Sequence, residues 1–543
     1  SLFSSIQEET KKDRMSDLLQ LLLTIAVGTV GVIFALYVVL QQWAAGAYDR
    51  LQASSPSECD IDAFCGSSNP PDKLKVMAVH KLRVGSRQPK TQAIELEAIP
   101  SEHVPGLWVS QAKGTSKNNK EAKAVTELIQ NKQKSVVVAT IRMGFGHHRL
   151  AYSACSWALE QGYTTIFHDL INIESEEAKM VGSADTIYSR MSRLASELGG
   201  PVEYMWGQAM KQGDPNGLRI AALEATHLMP LLLQYPKDIP LITTHQLCAL
   251  TAAAAGFTNV INLVVDNYPQ WFLVVPKTLN LVQGPVNYQC FLKMGVPPNQ
   301  IKLAGHWNPF QMVSNIPKDC QHRITRATAK SSPIRLLIPV GGAGAQKFFI
   351  NSLIEKISHL VKDGKIQLFL NAGDHKHMAT AFQEVLGKCS LDYESVTTTK
   401  GVYDFQKSLL DDAKKEPNKA VTLFTFEEYF PAVATTDILS RVSDVLVCKP
   451  SELAFYALPK LHIRRVGDHE ADSARRAGEL GDGSLEAREL DDAMDYIRLF
   501  LESPDLLTSM NEQIIANNKI GVYNGCEKAV QWAIEGKGNP NVN

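Results

Sequence analysis

The chain has 543 residues, enough for two or three domains, and its 45% hydrophobic and 21% charged content is that of a folded globular protein. A formal charge of −2 leaves no basic excess to neutralise phosphates along a duplex, which excludes a nucleic-acid binder. Nine scattered cysteines without a CxxC pair indicate neither a zinc site nor a disulfide framework; Cys59 and Cys65, close together, read as free thiols or, in an oxidising compartment, as a single disulfide.

Residues 1–16 form an N-terminal tail. No charged residue occurs from Leu18 to Tyr48. About 20 apolar residues cross a bilayer, so residues 17–42 are predicted to be a retained transmembrane helix in contact with membrane lipid. Tyr37, Trp43 and Tyr48 fall where an interfacial aromatic belt lies. Lys11, Lys12 and Arg14 precede the span while only Arg50 closely follows it, which predicts an N-terminus on the cytoplasmic, matrix or stromal side. Residues 43–134 read as a connector, with a loop at 54–72, short strands at 75–84 and 91–99, and an exposed helix from Lys117 to Lys134.

From Ser135 onward strands alternate with helices, the pattern of a parallel sheet covered on both faces. Val136-Val137-Val138 leads into the turn Gly144-Phe145-Gly146-His147-His148-Arg149. A helix follows with Ala151, Ala154, Cys155, Ala158 and Leu159 on one stripe, and Gly162 closes it. Its start can hold an anion, or the turn can be a plain tight connection. Further strands are predicted at 164–170, 240–245 (ending in His245), 260–266 (ending in Asp266), 279–282 and 301–304. Helices are predicted at 174–198, 202–211 and 218–233.

A second cycle begins near Ile334 and turns through Gly341-Gly342-Ala343-Gly344 into a helix at 347–360. Strands at 367–371, 420–424 and 444–448 follow, the last ending at Lys449-Pro450-Ser451-Glu452. Another strand precedes the polar stretch that holds Glu470, and helices at 491–502 and 505–517 lead to a polar tail. The fold class is α/β: two Rossmann-like, doubly wound domains at 135–315 and 333–504, a linker at about 315–333, and a C-terminal helix and tail at 505–543. Ligands gather at the carboxyl ends of such strands, in a cleft between the two domains.

Five segments in order resemble the monogalactosyldiacylglycerol synthases and the related bacterial peptidoglycan N-acetylglucosaminyltransferase. VVDNYPQWF (264–272) is similar to a strand-end Asp followed by His-Pro-x-Trp-Phe, and LITTHQL (241–247) to a strand ending in His. GVPPNQIKLAGHWNPF (295–310) resembles a stretch before the interdomain linker. GGAGAQ (341–346) resembles the glycine loop that opens the donor domain, and SELAFYALPKL (451–461) a Ser-Glu-[Ile/Leu]-Ala…Leu-Pro segment. The resemblance spans roughly residues 135–500 and implies the glycosyltransferase-B (GT-B) fold.

That resemblance implies a UDP-sugar as donor substrate, with no tightly bound cofactor and no metal. The amides of Gly341, Gly342 and Gly344 would hold its diphosphate, Glu452 its ribose and Glu470 its sugar, with Lys449 and Ser451 beside them. His147 or His148 would be the base for the acceptor hydroxyl, because two alignments of the turn differ by one residue; Asp266 and His245 would flank the cleft. The blander roles stay open: structural hydrogen bonding for the histidines, turn capping for Asp266 and a helix start for Glu452. The chain departs from the pattern at Tyr268, in place of His, and in lacking Gly-Pro-Gly before Glu452. It also has no basic residue in His306-Trp307-Asn308-Pro309. A second reading is therefore kept: a catalytically silent module acting as a structural or assembly subunit of a membrane complex.

Overall fold

The computed structural model describes residues 2–115, 121–182, 190, 194–195, 198–202, 204–205, 214–329, 332–341, 346–413 and 415–540. Two compact units emerge, one of residues 1–55 and 66–87, the other of residues 56–65 and 88–543.

The first unit is a pair of helices, Leu2–Ser54 and Pro70–Val84. Within the long one, Leu22–Ser54 is long and apolar enough to cross a membrane, with a mean hydropathy of 2.5. The second helix replaces the strand expected at 75–84. Its start is fixed by Asn69, whose side chain accepts from Asp72 N, by prolines in the first turn and by Asp72 at the positive dipole end. Lys81 and Arg83 occupy the last turn and Gly85 stops it at φ 67. Lys73 Nζ reaches Asp49 at 2.6 Å and lies over the Tyr48 ring, joining the two helices.

The second unit contains two sheets. The first holds β1 (Leu96–Pro100), β2 (Leu107–Ala112), β3 (Lys123–Ala124), β4 (Ser135–Thr140), β5 (Thr164–Asp169), β6 (Leu241–Thr243), β7 (Val260–Leu263), β8 (Leu279–Val282) and β9 (Ile301–Leu303). Their spatial order is β3-β1-β2-β5-β4-β6-β7-β8-β9. The pairs from β2 to β9 are parallel, and the β1–β2 and β1–β3 pairs are antiparallel. The helix expected at 117–134 does not form among the described residues of that stretch. Lys123–Ala124 pairs with β1 instead, and what is helical is one turn at Val125–Leu128, with Val125 and Ile129 buried, and a 3₁₀ turn at Lys132–Lys134.

The second sheet holds β10 (Ile334–Pro339), β11 (Ile366–Gly373), β12 (Tyr393–Val396), β13 (Val421–Thr425), β14 (Val445–Cys448) and β15 (Lys460–His462), all parallel, in the order β12-β13-β11-β10-β14-β15. Alternate residues of the central strands serve opposite faces, as the two-residue period of a strand requires. Val136 and Val138 join one apolar cluster and Val137 and Ala139 another. Leu337 joins the same cluster as Val136, while Leu336 and Ile338 face a third. One apolar core is thus shared by both halves. Residues 316–328, in the predicted linker, are a helix packed on Pro504–Lys519 and tied to the second half by Arg323 Nε on Ser443 O (2.8 Å) and Arg326 Nε on Asp444 (3.1 Å).

The predicted polar tail contains a helix, Gly525–Ile534, that crosses back to the first half. It packs on the helix Gly146–Glu160 and on β6 and β7 with Cys526, Ala529, Val530 and Ala533 buried. Asn259 Nδ2 donates to Ala533 O (2.8 Å), and Asn259 Oδ1 accepts from Gly538 N (3.1 Å). A Cβ at Gly525 would lie 2.5 Å from Gly305 O, so this crossing admits only glycine.

Candidate functional site

Each sheet has a point where the chain reverses its direction of addition. In the first half β5 lies on one side of β4 and β6 on the other; in the second, β11 lies on one side of β10 and β14 on the other. Such reversals open a crevice at the carboxyl ends of the strands. The first crevice holds the Gly144–His148 turn after β4 and Thr244-His245 after β6. The second holds Gly341 after β10 and Lys449–Glu452 after β14.

Residues from both halves meet at the glycine turn of the first crevice. Tyr429 OH donates to Gly144 O (2.9 Å), and Phe145 packs on the rings of Tyr429 and His375. Gly373 adopts φ +63, and a Cβ there would stand 3.2 Å from the Phe145 ring. Arg142 lies 3.6 Å over the Tyr429 ring with Asp374 at 3.7 Å, and Arg149 Nη2 donates to Thr436 Oγ1 (3.3 Å). A cavity of about 910 Å³ opens at the ends of β11, β12 and β13, with Asp374, Lys376, Thr398, Lys400, Thr425 and Glu427 among its walls. Its size is that of a small-molecule site.

The two adjacent histidines of the turn part company. His147, half-buried, places Nδ1 2.6 Å from Thr244 O. A carbonyl only accepts, so Nδ1 carries the proton and the lone pair of the ring is at Nε2. His148 is buried, with Nε2 3.1 Å from Asp169 Oδ2 and the rings of Phe167, Tyr152 and Tyr429 around it. Asp169 Oδ1 accepts from Arg142 N and Ile171 N, so this carboxylate braces the entry to the turn.

His245 is brought beside His147, with ring centroids 4.4 Å apart. Its Nδ1 accepts from Leu247 N (3.1 Å), capping the helix Gln246–Ala254. Burial, and secondarily the His147 charge, pushes the His245 pKa well below the usual histidine range. Asp266 lies half-buried past the end of β7, one strand further along the same edge, where its carbonyl faces Asn287 Nδ2 at 3.5 Å.

In the second crevice the Lys449 chain lies over Gly341, whose Cβ would come 3.3 Å from Lys449 Cε. Lys449 Nζ pairs with Glu470 Oε1, and Glu470 Oε2 accepts from Val466 N (2.8 Å). Ser451 N donates to Lys449 O (2.8 Å) ahead of the 3₁₀ turn Glu452–Phe455. Gly342, Gly344 and the Glu452 side chain lie outside what is described. No group of three His, Cys, Asp or Glu stands in a metal-holding arrangement among the described residues.

Sequence reasoning missed Thr244, Asp169, Phe145 and Tyr429. Asp169 carried a signal, since it is the last residue but one of the strand predicted at 164–170, near the carboxyl end where His245 and Asp266 close theirs. Tyr429 carried none, because its partner is 285 positions away.

Two family models match in tandem, both described as a domain of unknown function: DUF6937 over residues 99–293 and DUF6938 over residues 296–534. No curated protein matches the chain. Among solved structures, UDP-GlcNAc 2-epimerase from Neisseria meningitidis, bound to UDP-GlcNAc, is 12% identical, covering 74% of this chain and 100% of that one at a TM-score of 0.43. A glycosyltransferase from Rickettsia africae is 11% identical (76% and 99% covered, TM-score 0.38), and MurG from Acinetobacter baumannii 13% (74% and 99%, TM-score 0.32). The two doubly wound halves are the α/β architecture that the GT-B expectation described.

Proposed function

We propose that this chain is a membrane-anchored hexosyltransferase that moves a sugar from a nucleoside-diphosphate donor to a lipid or other membrane-associated acceptor. The observation that carries the reading is the His147 ring. Its proton is committed to Thr244 O at 2.6 Å, and it follows directly on the turn residues that touch Tyr429 of the second half. Residues 135–315 take the acceptor and residues 333–504 the nucleotide sugar. His147 Nε2 accepts the acceptor hydroxyl proton while the sugar C1–O(phosphate) bond breaks and a new C1–O bond forms. The departing diphosphate is held by amides of the loop at Gly341, Gly342 and Gly344 and by the Lys449 charge, with Ser451 beside them. Glu452 accepts from the ribose, Glu470 reaches the sugar, and Asp266 borders the acceptor. His245 holds the neighbouring helix start, and His148 stays in the packing with Asp169. The apolar helix anchors the chain in a bilayer, with Lys11, Lys12 and Arg14 on the cytoplasmic, matrix or stromal side.

One observation favours the silent-module reading. Lys449 and Glu470, both assigned to the donor, bond to each other, and Pro450 offers no N–H. Calorimetric titration of the full chain in detergent with UDP and UDP-sugars separates the two. The transferase reading expects saturable binding that Gly341→Val abolishes, because the added side chain meets Lys449, and that His147→Gln leaves within about twofold, since a base adds little to ground-state affinity. No binding at millimolar UDP selects the silent module.

A further inference from the structure

Thr244 touches His147 twice. Its carbonyl accepts from His147 Nδ1 (2.6 Å), and its hydroxyl donates to His147 O (2.9 Å). The same hydroxyl shares a hydrogen bond of 2.8 Å with Thr140 Oγ1, at the end of β4. Thr244 N in turn donates to Ala139 O (3.1 Å), which continues the β4–β6 ladder one residue past its last pair. Both threonines are fully buried. The ring and the backbone of His147 are therefore referenced to one residue, and that residue is pinned to the central strand of the sheet.

We propose that Thr244 is a positioning residue that fixes the tautomer and direction of the His147 imidazole, so that the basic nitrogen at the crevice is Nε2. This rests on the reading of His147 as the base. The neighbouring His245 does not take over that task, because its Nδ1 lone pair is spent on Leu247 N. A free imidazole rotates and exchanges tautomers; one held at Nδ1 and at its own carbonyl does neither, which places the proton acceptor before substrate arrives. A hydroxyl at position 244 is what the arrangement asks for, since valine matches threonine in shape and cannot donate to His147 O.

The test is the tautomer of His147 in 15N-histidine spectra of the full chain in detergent, with His147→Gln identifying the signals. The parent and Thr244→Ser should show a single Nδ1–H tautomer, and Thr244→Val a mixture of both. Thr140→Val, which keeps Thr244 but removes its brace, should shift the population the same way by less. A Thr244→Val spectrum like that of the parent overturns the proposal, as does a Thr244→Ser spectrum like that of Thr244→Val. In turnover, Thr244→Val should lower kcat by about tenfold or more with KM unchanged, the mark of misplacement rather than lost binding, and Thr244→Ser should restore it. A rise in KM at constant kcat counts against positioning. The spectra need no substrate, so a parent that shows the tautomer but turns over no UDP-sugar would fail the transferase reading alone.

Discussion

His168 and His462 show how burial sets a charge state at single positions. His168 Nδ1 sits 2.7 Å from Ser110 Oγ and 3.2 Å from Tyr235 OH; His462 Nδ1 sits 2.8 Å from Ser484 O. Both side chains are fully buried, and burial lowers each pKa to about 4. As pH falls below the unfolded value near 6.5, the unfolded chain takes up these protons and the folded chain refuses them until about pH 4. Stability is therefore present above pH 6.5 and lost between there and pH 4, by roughly 1.4 kcal/mol per pH unit for each histidine. The unfolding midpoint in urea should drop between pH 7.5 and pH 5.5, and His168→Gln should flatten the slope by about one proton; a midpoint independent of pH rejects this. At the same scale the choice between His147 and His148 was closed to sequence reasoning. Neighbours in the first turn of a helix point about 100° apart, and only the fold tells which direction is the cleft.

Secondary structure was legible where apolar residues are large and β-branched. Val136–Val138, Leu279–Val282 and the strand at Ile334 all form as expected. The failures have local causes. At 75–84 the valines suggested a strand, although Asn69, Pro70, Asp72 and Gly85 spelled out the ends of a helix. At 525–534 the apolar positions Cys526, Ala529, Val530 and Ala533 carry the helical spacing of three and four, but small side chains make a faint stripe. That helix closes one face of the first half, so Val530→Asp, which buries a carboxylate without a partner, should cost about 3 kcal/mol or more. The change is read in a lower melting temperature and in earlier proteolysis within residues 135–315. A melting temperature within a degree of the parent would show that the helix is a dispensable appendage.

For the molecule as a whole, alternating strands and helices announced two largely parallel sheets, and the reversal of strand order at β4 and at β10 opens a crevice in each. The seam between the halves was not legible, since it joins Gly144 to Tyr429, Phe145 to Gly373 and Arg149 to Thr436 across more than 200 positions. Nor could the pairing of Lys449 with Glu470 be foreseen, which leaves the second crevice partly satisfied by its own side chains. The most direct measurement is release of UDP from UDP-sugars by the full chain in lipid vesicles carrying extracted membrane lipids, for the parent and for His147→Gln. Catalysis by a positioned base predicts saturable release from the parent and a loss of roughly 10²–10⁴-fold in His147→Gln. Equal rates from the two proteins, or a parent that binds UDP and never releases it from a UDP-sugar, would contradict it.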